Sequence, residues 1–99
     1  MNAAGRHVDI GGLIAQKPGI KGGSPHIAGT AVLVRTVVRW HQAGLVPEEI
    51  VAKYGFLRLE QVHAALAYYY ANRGEIDQEL ERLDQEADEL EAGATPARK

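Results

Sequence analysis

The 99-residue chain contains no cysteine. That excludes a disulfide scaffold, a thiolate zinc site and a cysteine nucleophile, and it suits a reducing compartment. Apolar runs are only a few residues long, far short of the roughly 20 needed to span a bilayer. The opening stretch from Met1 to His7 leads into no continuous apolar core, so no secretory signal is expected. The expectation is a soluble cytoplasmic protein without membrane contact. The length points to one domain with a modest core.

Catalytic signatures are missing too. His7, His26, His41 and His63 include no pair at metal-ligand spacing on one helix. No His-Glu-x-x-His run, P-loop or dinucleotide fingerprint is present. Gly22, Gly23 and Gly29 lack the lysine–serine pair of a phosphate cradle and read as turn glycines. Ser24, Thr30 and Thr36 have no histidine–acid arrangement beside them, and Glu48-Glu49 suits the positive end of a helix. We therefore expect no enzyme, no cofactor and no metal.

What the chain does have is a division of charge. Up to Gly74, eight basic and four acidic residues give +4; from Glu75 onward, three basic and nine acidic residues give −6. A mildly basic body carries an acidic tail.

The pattern of residues divides along the same line. Residues 1–12 are glycine-rich and weakly patterned and are expected to be flexible. Leu13-Ile14-Ala15 reads as a short strand, and Lys17-Pro18-Gly19 as a turn. Pro25-His26-Ile27 is extended, Ala28-Gly29 turns, and Ala31 to Val34 can close a hairpin. Val34, Val37, Val38, His41 and Leu45 then fall at helical spacing, and Gly44 supplies a left-handed stop. Pro47-Glu48-Glu49 opens a second helix, which Gly55 ends. Leu59 begins a third, with Val62, Leu66, Tyr69 and Tyr70 on one side. One of Tyr68, Tyr69 and Tyr70 must face away from the core. Arg73-Gly74 is a candidate break. Beyond it Ile76, Leu80, Leu83, Ala87 and Leu90 alternate spacings of four and three, a short two-heptad seam.

The expected fold is mainly α: a short N-terminal β element, a three-helix helix-turn-helix-like unit, and an extended C-terminal helix. The segments are a flexible 1–12, a core domain over 13–72, an acidic amphipathic helix over 73–92 and a disordered tail over 93–99.

From about Ile14 to Tyr70 the chain resembles the domain-of-unknown-function 433 family, small prokaryotic proteins regarded as VapB-like antitoxins. The resemblance rests on Pro18-Gly19-Ile20, Gly23 to Thr30, Val34, Gly44, Pro47-Glu48-Glu49-Ile50, Tyr54, Leu57, Leu59-Glu60 and Ala65 to Tyr68, in that order and spacing. It implies a homeodomain-like helical trio, a homodimer, and a partner resembling a PIN-type ribonuclease toxin. The chain departs from the family's pattern at several places. Ala31 stands where the family usually has Arg, Ser24 where it often has Lys, and Lys17 where it often has Asp. Gly55 replaces a frequent Pro, and Arg58 replaces the Thr that caps the last helix.

Two sets of candidate site residues follow. For DNA, Arg35, Arg39, Lys53 and Arg58 are candidates for phosphate contacts, and Gln61 and His63 for base edges. For a protein partner, the stripe Ile76, Leu80, Leu83 and Leu90 can lie in an apolar groove while the carboxylates oppose a basic surface. The expected function is a non-catalytic antitoxin-like regulator that binds operator DNA through its helical core and masks a PIN-like ribonuclease through its acidic helix. The competing reading is a DNA-independent homodimeric interaction or assembly module. Cutting the chain after Asn72 is expected to leave a folded core.

Overall fold

The computed structural model describes residues 10–17, 19 and 21–97. Residues 1–9 of the expected flexible start, Pro18 and Ile20 of the first turn, and Arg98-Lys99 lie outside the described residues. Two short strands, β1 (Ile14–Ala15) and β2 (His26–Ile27), precede four helices: α1 (Val34–Gln42), α2 (Pro47–Tyr54), α3 (Leu59–Ala71) and α4 (Arg73–Ala97). The architecture is mainly helical with a small N-terminal hairpin, as the sequence pattern implies.

β1 and β2 pair antiparallel, with Ile14 opposite Ile27 and Ala15 opposite His26. The chain then doubles back, so that the Ile27 N–H reaches the Val32 carbonyl at 2.9 Å and the Val34 N–H reaches Pro25 at 2.9 Å. Thr30 fastens this loop. Its hydroxyl donates to the Ile27 carbonyl at 2.8 Å and accepts from the Val32 N–H at 3.0 Å. Helix α1 therefore starts from a fixed point.

Each helix ends where the local chemistry stops it. Gly44 adopts φ +100°, and the Leu45 N–H closes back on the Trp40 carbonyl at 3.1 Å. This is a Schellman-type stop, which favours glycine because a side chain is strained there. Gly55 ends α2 with φ +74°. At the start of α2 the Glu49 carboxylate accepts the Val46 N–H at 2.9 Å. Gln61 serves α3 in the same way, accepting the Arg58 N–H at 2.7 Å. Valine and arginine bring no side-chain acceptor to these caps, so the reach-back residue three positions on supplies the bond.

The core lies between α1, α2 and α3, with Ile27, Val34, Val37, Val38, Ile50 and Val62 fully buried. Asn72 interrupts the helical path between α3 and α4 with φ −132° and ψ 37°. Helix α4 then returns to the body for its first turns and places Ile76 and Leu80 in the same core, 3% and 6% exposed. Its remaining length leaves the body. The molecule measures 62 × 28 × 23 Å, as a 25-residue helix of roughly 37 Å projecting from a small bundle requires.

Two sequence expectations change here. Ile76 and Leu80 of α4 belong to the core, so a cut after Asn72 is now expected to open it rather than to leave it folded. The helix also continues to Ala97, past the boundary drawn at residue 92.

Candidate functional site

The residues expected to meet DNA are distributed unevenly. Arg35 and Arg39 sit one turn apart on α1, and both face α4. The Arg35 guanidinium donates to Glu79 at 2.5 Å and to the Ser24 hydroxyl at 2.9 Å. Ser24 in turn donates to the same Glu79 oxygen at 2.8 Å. This closed triangle is mostly buried, with Ser24 inside the protein and the two charged side chains about a quarter exposed or less. Arg39 forms a forked pair with Asp84 at 2.5 and 3.5 Å, and both partners are largely in solvent.

Beneath these pairs runs an incompletely filled groove of about 270 Å³ between α1 and α4, lined by Trp40, Ala43, Leu80 and Leu83 with Arg35, Thr36 and Arg39. Trp40 is held by a hydrogen bond to the Tyr54 hydroxyl at 2.9 Å. Its ring carries the Lys53 ammonium 4.2 Å from the centroid, a cation–π contact. Arg39 lines the same groove as this indole.

Of the remaining DNA candidates, Gln61 does not face solvent. It is 7% exposed and its amide oxygen is committed to the Arg58 N–H. That corrects its assignment to base edges. Arg58 and His63 are exposed at the start of α3. The Arg58 Nε is paired with Glu60 at 2.7 Å. That hydrogen bond, then one from the backbone, holds the Glu60 carboxyl below the ordinary carboxylate range.

The partner-binding stripe is split. Ile76 and Leu80 belong to the core of the chain itself and cannot enter a partner's groove without unfolding α4 from the body. Leu83 is half-buried, and Leu90 stands 75% exposed. Every residue from Asp84 to Ala92 is exposed. At its start Glu86 pairs along the helix with Arg82 at 2.9 Å.

Among the aromatic residues, Tyr70 is the tyrosine that faces outward, at 54% exposure. Its hydroxyl lies 2.9 Å from His41 Nε2. Tyr69 is buried and donates to Asp77 at 2.8 Å, which ties the end of α3 to the start of α4. His26 is buried with Nδ1 unpaired, and its backbone bridges β1 and Leu33.

Sequence reasoning did not identify Ser24, Glu79 and Asp84 as partners of the α1 arginines. The signal present was the coincidence of two arginines four apart on one helix with two acids five apart on another. It acquires meaning only once the helices are known to touch.

Comparison with known proteins places this geometry. The profile of the family described as "Protein of unknown function (DUF433)" matches residues 14–69. The crystal structure of a DUF433 member protein from Anabaena variabilis ATCC 29413 is similar over 69% of this chain and 67% of that one, at 37% identity and a TM-score of 0.65. No curated protein matches the chain. The profile match covers the hairpin and most of the helical trio and stops before α4, so Glu79 and Asp84 lie outside it.

Proposed function

Because the chain belongs to the DUF433 family, a family of unknown function, we propose, from its resemblance to VapB-like antitoxins taken together with the division of its last helix, that it is a non-catalytic, cytoplasmic, antitoxin-like regulator of a type II toxin–antitoxin system. In this reading the distal half of α4 binds and masks a PIN-like ribonuclease, and the helical core binds operator DNA. The observation that carries it is the division of α4. Residues up to Asp84 are anchored by Ile76, Leu80 and two ion pairs to α1. Beyond Asp84 the helix projects, carrying Glu86, Asp88, Glu89 and Glu91 around the stripe of Ala87 and Leu90. An acidic face with an apolar stripe suits the basic surface on which a ribonuclease holds RNA phosphates. Occupying that surface excludes substrate without any chemistry by the regulator. For DNA the exposed cations Arg39, Lys53 and Arg58 are the phosphate candidates, and His63 is the remaining base-edge candidate.

Tagged chain recovered from its native host tests this. The wild type should bring down a small nuclease, and Leu90→Lys with Glu89→Lys should lose it while circular dichroism stays unchanged. Recovery of the nuclease by the double variant overturns the reading.

The competing reading, a homodimeric assembly module, draws on the same stripe and on the groove beside Trp40. It replaces the first if no nuclease is recovered and light scattering gives a dimer mass that Leu90→Lys returns to a monomer.

A further inference from the structure

We infer that α4 acts as a cis-acting cover on the α1 face of the helical core, with Glu79 and Asp84 occupying the positions that DNA phosphates would take on Arg35 and Arg39. The inference rests on the DNA-binding half of the function proposed above and specifies how that site is regulated.

The geometry is that of an occupied anion site. Arg35 and Arg39 are four residues apart, so both guanidinium groups lie on one side of α1. Each meets a carboxylate at 2.5 Å, Arg35 with Glu79 and Arg39 with Asp84. Charge-assisted pairs of this kind use the same donors that a phosphodiester needs. The two arginines contribute two positive charges and the two acids cancel them, so the α1 face offers no net attraction to a polyanion. Glu75 and Glu81 lie within four residues of Glu79 along α4 and add negative charge to the same stretch of helix. A phosphate reaching α1 must displace a carboxylate tethered to the same chain.

The two pairs differ in how firmly they hold. Glu79 lies between the buried Ile76 and Leu80, and Ser24 completes its triangle with Arg35. Asp84 lies after the last half-buried leucine, and its pair with Arg39 is open to solvent on both sides. The cover therefore opens from its distal end. Arg39 is released first, beside Trp40 and Lys53, and Arg35 only when the anchored turns move. The family match ends at residue 69, so Glu79 and Asp84 lie outside the matched residues.

Fluorescence anisotropy with a labelled mixed-sequence DNA duplex tests the cover on the full chain. Three proteins are compared: wild type, Glu79→Gln with Asp84→Asn, and a control, Asp88→Asn with Glu89→Gln, that removes the same charge farther along α4. Glutamine at 79 keeps the hydrogen-bonding shape of the triangle, and circular dichroism verifies the fold of each protein. The cover predicts about tenfold tighter DNA binding by the Glu79/Asp84 variant than by the other two. It also predicts a salt dependence steeper by about two in log–log slope, since each phosphate newly neutralised contributes about 0.9. Adding Arg39→Ala to that variant should remove most of the gain. Equal binding by wild type and the Glu79/Asp84 variant overturns the cover and leaves DNA binding standing. An equal gain in the control shows general charge repulsion and overturns the cover as well. Absence of binding by all three overturns both the cover and the DNA-binding reading, while nuclease binding remains a separate measurement.

Discussion

Arg58 and Gln61 illustrate how a single backbone N–H decides what a side chain is free to do. The first N–H groups of a helix have no partner within it, and α3 begins at a residue with no side-chain acceptor. Gln61 turns back to fill that role, so its amide is spent on the fold rather than offered to a ligand. Arg58 is left to bond Glu60 from the solvent side. Removing that guanidinium should raise the Glu60 carboxyl back toward the ordinary carboxylate range, and an NMR titration of Arg58→Ala reads it directly. The sign is that of a carboxylate favoured by its partner: the interaction is present above the carboxyl's unfolded-state pKa and is lost as pH falls through the lowered folded value. An unchanged Glu60 titration in the variant contradicts the contact. Leu80, 6% exposed, makes a second residue-scale case. Leu80→Ala should cost about 2–5 kcal/mol in a urea titration, because the bundle cannot collapse around the space that a tethered helix leaves. Leu90→Ala, on the exposed part of the same stripe, should stay within about 0.5 kcal/mol of wild type.

The elements were legible where the chain punctuates itself. Gly44, Pro47 and Gly55 mark boundaries because each has a conformational property that other residues lack: Gly44 follows the end of α1, and Pro47 and Gly55 bracket α2. Gly55 can be tested for that role. Space for a Cβ is open there, but φ is +74°, so Gly55→Ala should destabilise by roughly 1–2 kcal/mol through backbone strain alone. The end of α3 was legible as well, although the interruption falls at Asn72 rather than at Arg73-Gly74. The partner of α4 was not. A stripe of Ile76, Leu80, Leu83 and Leu90 states that one side of a helix wants burial, and it is silent on whether the covering surface belongs to this chain or to another. The structure divides the answer: the first two residues serve the core and Leu90 faces water.

At the scale of the whole molecule, the charge division between body and tail is what the sequence reported most plainly, and the fold turns part of it inward. Two of the acids neutralise the α1 arginines, whereas four more, Glu86, Asp88, Glu89 and Glu91, lie beyond Asp84 on the part of the helix that leaves the body. Arg35 and Arg39 were legible as cations on a helix. Their occupation was not, because the contacts that define it join residues 44 and 45 positions apart. The exposed Arg39–Asp84 pair alone is worth roughly 0.2–1 kcal/mol, so Asp84→Asn should change stability little, whatever it does to binding. Helix α4 has an anchored half that completes the fold, and we propose that its projecting half serves a partner. Truncation after Asp84 tests it most directly, because that cut keeps Ile76, Glu79, Leu80 and both ion pairs and removes only the projecting helix. Thermal unfolding and co-purification from the native host are read on the same truncated protein. A cooperative transition close to that of the full chain is expected, together with loss of the nuclease. A truncated chain that still recovers the nuclease, or one that no longer unfolds cooperatively, contradicts it.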